Sequence, residues 1–162
     1  MVKKNTCVFI SGYGSNLESL IKRSRDCTFP IKIKLIVTNN SKAKGIIHAK
    51  KNSIPYLLID TKRRDYENLV LKEIKKHKIN LICLAGYMKI ISKKIIKNFN
   101  KNILNVHPSL LPNYKGLNTY ERVLRNNEKE TGCTVHYVNE KLDSGKIISK
   151  KGFFISNNDT VE

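Results

Sequence analysis

The feature that most constrains this chain is its alternation of short apolar, β-branched runs with longer amphipathic stretches. TCVFI is followed by NLESLIKRSR, IKIKLIVT by AKGIIHAKKN, PYLLI by DYENLVLKEIKKHK, NLICLAG by KKIIKNF, and the series ends on ILNVH. Strand-length runs set between helix-length stripes define a βαβ rhythm. Right-handed crossovers then build a mostly parallel, twisted sheet with helices on both faces, an α/β fold. In the third helical stretch Tyr66, Leu69, Val70, Glu73 and Ile74 recur at spacings of three and four, so one largely apolar stripe is expected to face the sheet. After Pro112 the rhythm changes. A short helix, TYERVLRNN, leads into TGCTVHYVNE, a turn at LDSGK and IISKKGFFIS, which predict two late strands joined by a hairpin or a longer loop.

The length of 162 residues suits one domain, taken here as 1–162. No stretch has the length of a membrane span, and the apolar block after MVKKNT is too short for a secretory signal, so a soluble, cytoplasmic protein is expected. Cys7, Cys27, Cys83 and Cys133 lie far apart without a C-x-x-C pair, which argues against a disulfide framework or a zinc site. The net charge of +18 raises the possibility of nucleic-acid binding. Its make-up, 25 Lys against 6 Arg spread over nearly every segment and no Trp for base stacking, favours solvated lysines over a dedicated nucleic-acid surface. Such a field still attracts a small anionic substrate.

Three motifs can carry chemistry. In SGYGSN, Ser11 to Asn16, glycines let the backbone turn into a helix whose free N–H groups and dipole attract phosphate. The motif is neither the dinucleotide fingerprint, since Leu17 stands in the third glycine position, nor a P-loop. An ordinary strand-to-helix turn capped by Ser15 or Asn16 explains it equally well. In NVH, Asn105 and His107 stand two residues apart at the carboxyl end of an expected strand, so both side chains project to one side. An amide donor beside a protonatable ring suits a developing oxyanion, and Pro108 ends the strand there. In LDSGK, Asp143 is either plain turn chemistry or, if the loop folds back toward His107, a carboxylate that orients the ring. His48, His77 and His136 lack a metal-ligand partner at helical spacing and are expected to be surface or structural residues.

Taken together, FISGYGSNLESLI, LICLAGYMKIIS, ILNVHPSLLPNYKGLNTYERVL and GCTVHYVNEKLDSGKII resemble the phosphoribosylglycinamide formyltransferases, in the right order and over essentially the whole chain. The resemblance implies a Rossmann-like sheet whose late strands form an antiparallel extension. It also implies formyl transfer from 10-formyltetrahydrofolate, a co-substrate, to the amine of glycinamide ribonucleotide in purine synthesis, with no metal. By that resemblance Gly14, Ser15 and Asn16 grip the substrate phosphate, and Asn105, His107 and Asp143 are catalytic. Folate contacts fall on Met88, Lys89, Ile90 and Ile91, on Asn105, and on the loop Asn139, Glu140, Lys141, Leu142 and Asp143. A further family arginine maps onto Arg63, with Arg64 beside it.

The expected partners are the two substrates, with no specific nucleic acid and no membrane, in a monomer or homodimer. Methionyl-tRNA formyltransferases share the H-P-S-L-L-P loop but carry a further domain, and formyltetrahydrofolate deformylases carry an extra N-terminal one, so both are weaker matches. Asn118 and Tyr120 stand where many members have histidine. Asn158-Asp159-Thr160 and Glu162 read as the start of a helix that family members continue, so the domain is expected to be truncated at its C-terminus. A catalytically impaired folate- or nucleotide-binding remnant is the alternative that this implies.

Overall fold

Lys4–Ile10 forms β1 and Ser15–Ser24 forms α1; Ile31–Thr38 (β2) and Ile46–Lys51 (α2) follow. Next come Tyr56–Leu58 (β3), Tyr66–Lys76 (α3), Leu81–Leu84 (β4) and Lys93–Phe99 (α4). Ile103–His107 is β5, Thr119–Arg125 is α5, Glu130–Tyr137 is β6 and Ile147–Phe154 is β7. The computed structural model describes residues 2–156 and 158–161. It divides into two compact units, Met1–Ile103 and Leu104–Glu162.

In the first unit β1 lies between β2 and β4, β2 also pairs with β3, and every one of these pairings is parallel. Buried Val8, Phe9, Ile10, Leu35, Ile36 and Ile82 come from these strands, which is why they read as continuous apolar runs instead of alternating ones. Helix α3 turns Val70 and Ile74 inward. Leu69, expected in the same stripe, is 38% exposed, because the buried stripe is narrower than the apolar pattern. Helix α4 begins at Ser92, whose hydroxyl accepts from the Ile95 N–H at 3.2 Å and satisfies a first-turn donor.

The second unit is an antiparallel ladder in which β6 pairs with β5 on one side and β7 on the other. The β5–β6 register sets Asn105 opposite His136 and His107 opposite Thr134. Directly opposed residues share a face, so Asn105, His107, His136 and Thr134 project together. Polar groups make up much of what this unit buries: His107, Ser109, Thr119, Thr134 and His136 are all under 5% exposed. Thr134 is satisfied locally, its hydroxyl donating to the Ser109 carbonyl at 2.6 Å and accepting from the Leu111 N–H at 3.0 Å. The Asn158-Asp159-Thr160 segment forms no helix; Asp159 Oδ2 accepts from the Ser156 N–H at 2.9 Å. Glu162, expected in a first helical turn, lies outside the described residues.

Candidate active site

Pro108 ends β5 and leaves His107 as its last residue, 4% exposed. The ring is held from both nitrogens. Nε2 lies 2.8 Å from the Tyr114 carbonyl and Nδ1 lies 3.4 Å from Asp143 Oδ2. Both partners are acceptors, so a ring with a proton on each nitrogen satisfies both.

Asp143 sits in the connection between β6 and β7 with φ 43, a left-handed conformation that Asp tolerates better than most residues. Its carboxylate is surrounded by donors. Oδ2 accepts from the Gly116 N–H at 2.9 Å, besides facing His107; Oδ1 accepts from Asn105 Nδ2 at 3.3 Å and lies 3.6 Å from His136 Nε2. Burial alone would raise this carboxyl. The bonds from His136 and Gly116 and the neighbouring His107 outweigh it and hold Asp143 below its ordinary value.

The same turn depends on Gly145. A Cβ there would collide with the carbonyl of Tyr137, the group that pairs with His136 Nδ1 at 2.8 Å. The Asp-Ser-Gly sequence is therefore turn chemistry and carboxylate placement together.

His136, expected to be a surface or structural residue, is not on the surface. It is 2% exposed and its Nε2 lies 3.2 Å from Asn105 Nδ2 as well as near Asp143. The alternation in TGCTVHYV carried a signal, since Thr134 and His136 share a face. Assigning that face to Asn105 and His107 required knowing that β6 pairs with β5, a non-local fact.

In the first unit the residue before α1 is Gly14, at φ 85, with no side-chain cap bond. This replaces the expected Ser15 or Asn16 cap. The reason is steric: a Cβ on Gly14 would come within 2.5 Å of Gly45 Cα, so the turn needs a glycine twice over, for conformation and for close approach. The first intrahelical donor is the Glu18 N–H, which bonds the Gly14 carbonyl at 2.8 Å. The N–H groups of Ser15, Asn16 and Leu17 precede it and are the donors that a helix start leaves for an anion.

Ser11 ties this turn to the Met88 segment. Its hydroxyl donates to Asn39 Oδ1 at 2.6 Å and accepts from the Met88 N–H at 2.8 Å, while its carbonyl accepts from Asn40 Nδ2 at 2.9 Å. Met88 and Ile90 are exposed, Lys89 likewise, and Ile91 is buried.

Arg63 lines a cavity of about 350 Å³ with Asn39, Ser41, Leu58, Asp60 and Tyr66. Its guanidinium forms a two-bond pair with Asp65 at 3.0 and 2.9 Å. In the loop Asn139–Asp143, Asp143 joins the histidine cluster; Asn139 Oδ1 accepts from the Lys141 N–H, and Leu142 is half exposed. Asn118 adopts a left-handed conformation at the start of α5, and Tyr120 is 46% exposed.

An imidazole, a carboxylate and a carboxamide converging at a strand end, on a mixed α/β scaffold, define a candidate acid–base site of the group-transfer kind. The formyl transferase family model matches residues 4–162. The chain is 37% identical over 163 residues to phosphoribosylglycinamide formyltransferase of Haemophilus influenzae, covering 98% of this chain and 77% of that protein. It is 40% identical over 164 residues to trifunctional purine biosynthetic protein adenosine-3 of Gallus gallus, covering 99% of this chain but only 16% of that protein. The chain thus spans about a sixth of the trifunctional relatives and roughly four fifths of the bacterial ones. The crystal structure of phosphoribosylglycinamide formyltransferase from Bacillus halodurans superimposes with a TM-score of 0.91 at 35% identity, covering 97% of this chain and 83% of that one. The chain belongs to the formyl transferase family and, within it, to the phosphoribosylglycinamide formyltransferases.

Proposed function

We propose that the protein transfers a formyl group from 10-formyltetrahydrofolate to the amine of glycinamide ribonucleotide, in the cytoplasm, as a step of purine synthesis. The observation that carries this reading is the shared carboxylate of Asp143, which faces His107 on one oxygen and Asn105 on the other in a chain of this family.

The chemistry needs no covalent enzyme intermediate. The substrate amine adds to the formyl carbon, and the formyl oxygen takes up negative charge. An N–H of Asn105 and the Nε2–H of His107 supply donors for that charge, the latter by exchanging its bond to the Tyr114 carbonyl for one to the oxyanion. Asp143 faces Nδ1 and orients the imidazole. The C–N bond to folate N10 then breaks, and the proton lost by the attacking amine ends on N10, relayed by His107 or by water.

In the first unit, the N–H groups after Gly14 suit the phosphate of the ribonucleotide, and the exposed apolar side chains of Met88 and Ile90, flanking Lys89, suit a pteridine ring. Arg63 suits a folate carboxylate only if it gives up part of its pairing with Asp65. Holding both substrates in register supplies the rest of the acceleration.

Purified protein mixed with glycinamide ribonucleotide and a 10-formyl folate is expected to release tetrahydrofolate and form the N-formyl ribonucleotide. Absence of both products under conditions where both substrates bind would overturn the assignment.

A further inference from the structure

His136 and Asn105 face each other across the β5–β6 ladder, and the arrangement of protons between them has two solutions. His136 Nδ1 lies 2.8 Å from the Tyr137 carbonyl, which can only accept, so Nδ1 carries a proton in either state. Nε2 has two neighbours, Asn105 Nδ2 at 3.2 Å and Asp143 Oδ1 at 3.6 Å. When Nε2 is bare it accepts from Asn105. The second amide hydrogen of Asn105 goes to Asp143 Oδ1 at 3.3 Å. Both hydrogens are then committed, and a developing oxyanion finds neither available. When Nε2 carries a proton, it is a donor facing a donor at Asn105 and an acceptor at Asp143. The amide must then swing away or turn its Oδ1 toward Nε2, and in each case an N–H is released.

We propose that His136 is a positioning residue: proton uptake at Nε2 transfers this ring to Asp143 and frees an N–H of Asn105 for the oxyanion. That the freed group serves an oxyanion rests on the formyl-transfer reading; the switch itself does not. The groups facing His136 are few. Asp143 bonds its ring and favours the charged form, burial opposes it, the Tyr137 carbonyl favours it, and Lys115 opposes it. His107 acts on the far oxygen of the same carboxylate, Asn105 is the neutral neighbour on β5, and the β7 residue in register with His136 is Ile147, which does not titrate. The balance raises His136 above an ordinary histidine, so the releasing state gains population toward neutral pH.

The test is a pH titration of uniformly ¹⁵N-labelled protein by NMR, following the ring nitrogens of His136 and His107 and the side-chain amide of Asn105. The Asn105 amide resonances are expected to move with the His136 Nε2 midpoint. In His136→Gln that movement disappears. Asn105 resonances that stay fixed through the His136 midpoint, or that keep the wild-type midpoint in His136→Gln, would overturn the proposal. The wild-type titration decides alone if the variant does not fold. Coupled titration in a protein that transfers no formyl group would support the switch and reject the transferase reading, so the two fail separately.

Discussion

Asn105 and Asp143 stand 38 residues apart in sequence and meet at 3.3 Å, the amide of a strand end donating to the carboxylate of a distant turn. That contact, with His107 on the other carboxylate oxygen, joins the NVH and LDSGK motifs into one cluster. Removing the ring or the charge isolates its contribution. His107→Ala and Asp143→Asn are each expected to lower kcat by about 10²–10⁴ with little change in KM, because the lost interactions act on charge that develops during reaction. Steady-state kinetics with both substrates varied provide the check.

The His136–Asp143 pair has a pH signature in stability. His136 is raised when folded, so its contribution is complete below the unfolded histidine value and is lost as pH rises through the folded one. Asp143 is lowered, so its contribution is complete above the unfolded aspartate value and is lost as pH falls through the folded one. The difference in Tm between wild type and His136→Gln should therefore be greatest in mildly acidic solution. It should shrink at both extremes in thermal scans across pH.

Gly14→Ala places a methyl group against Gly45 at a positive φ. A loss of about 1–3 kcal/mol in denaturant unfolding is expected from backbone strain together with the displaced contact. Gly12→Ala, two residues earlier, meets nothing within 4 Å and should stay within about 0.5 kcal/mol of wild type.

Ser11→Ala removes a hydroxyl that bonds Asn39 and receives the Met88 N–H. Leaving those partly buried groups unpaired should cost about 1–3 kcal/mol. If Met88–Ile91 contacts folate as proposed, the same variant should weaken folate binding in calorimetry more than Ser41→Ala does.

The local elements were legible in the sequence because their signals are local. IKIKLIVT, KKIIKNF and ILNVH correspond to β2, α4 and β5 at both ends, since β-branched runs, a serine cap and Pro108 mark their limits. Gly14 was harder, because its role as the residue before α1 depends on Gly45 from another segment. His136 was missed for a similar reason. Its face is plain from alternation, but the identity of its neighbours follows from an antiparallel register that no short window contains. Asp143 belongs to the same class: the turn was readable, the return of its carboxylate to His107 was not.

The most direct measurement of the central claim is a single-turnover reaction, with enzyme in excess over 10-formyltetrahydrofolate and saturating glycinamide ribonucleotide, comparing wild type with Asn105→Ala and His107→Ala. Formation of the N-formyl ribonucleotide by the wild type, slowed by about 10² or more in each variant, is the predicted result. Product formed by both variants at the wild-type rate would contradict the assignment of the reaction to this cluster.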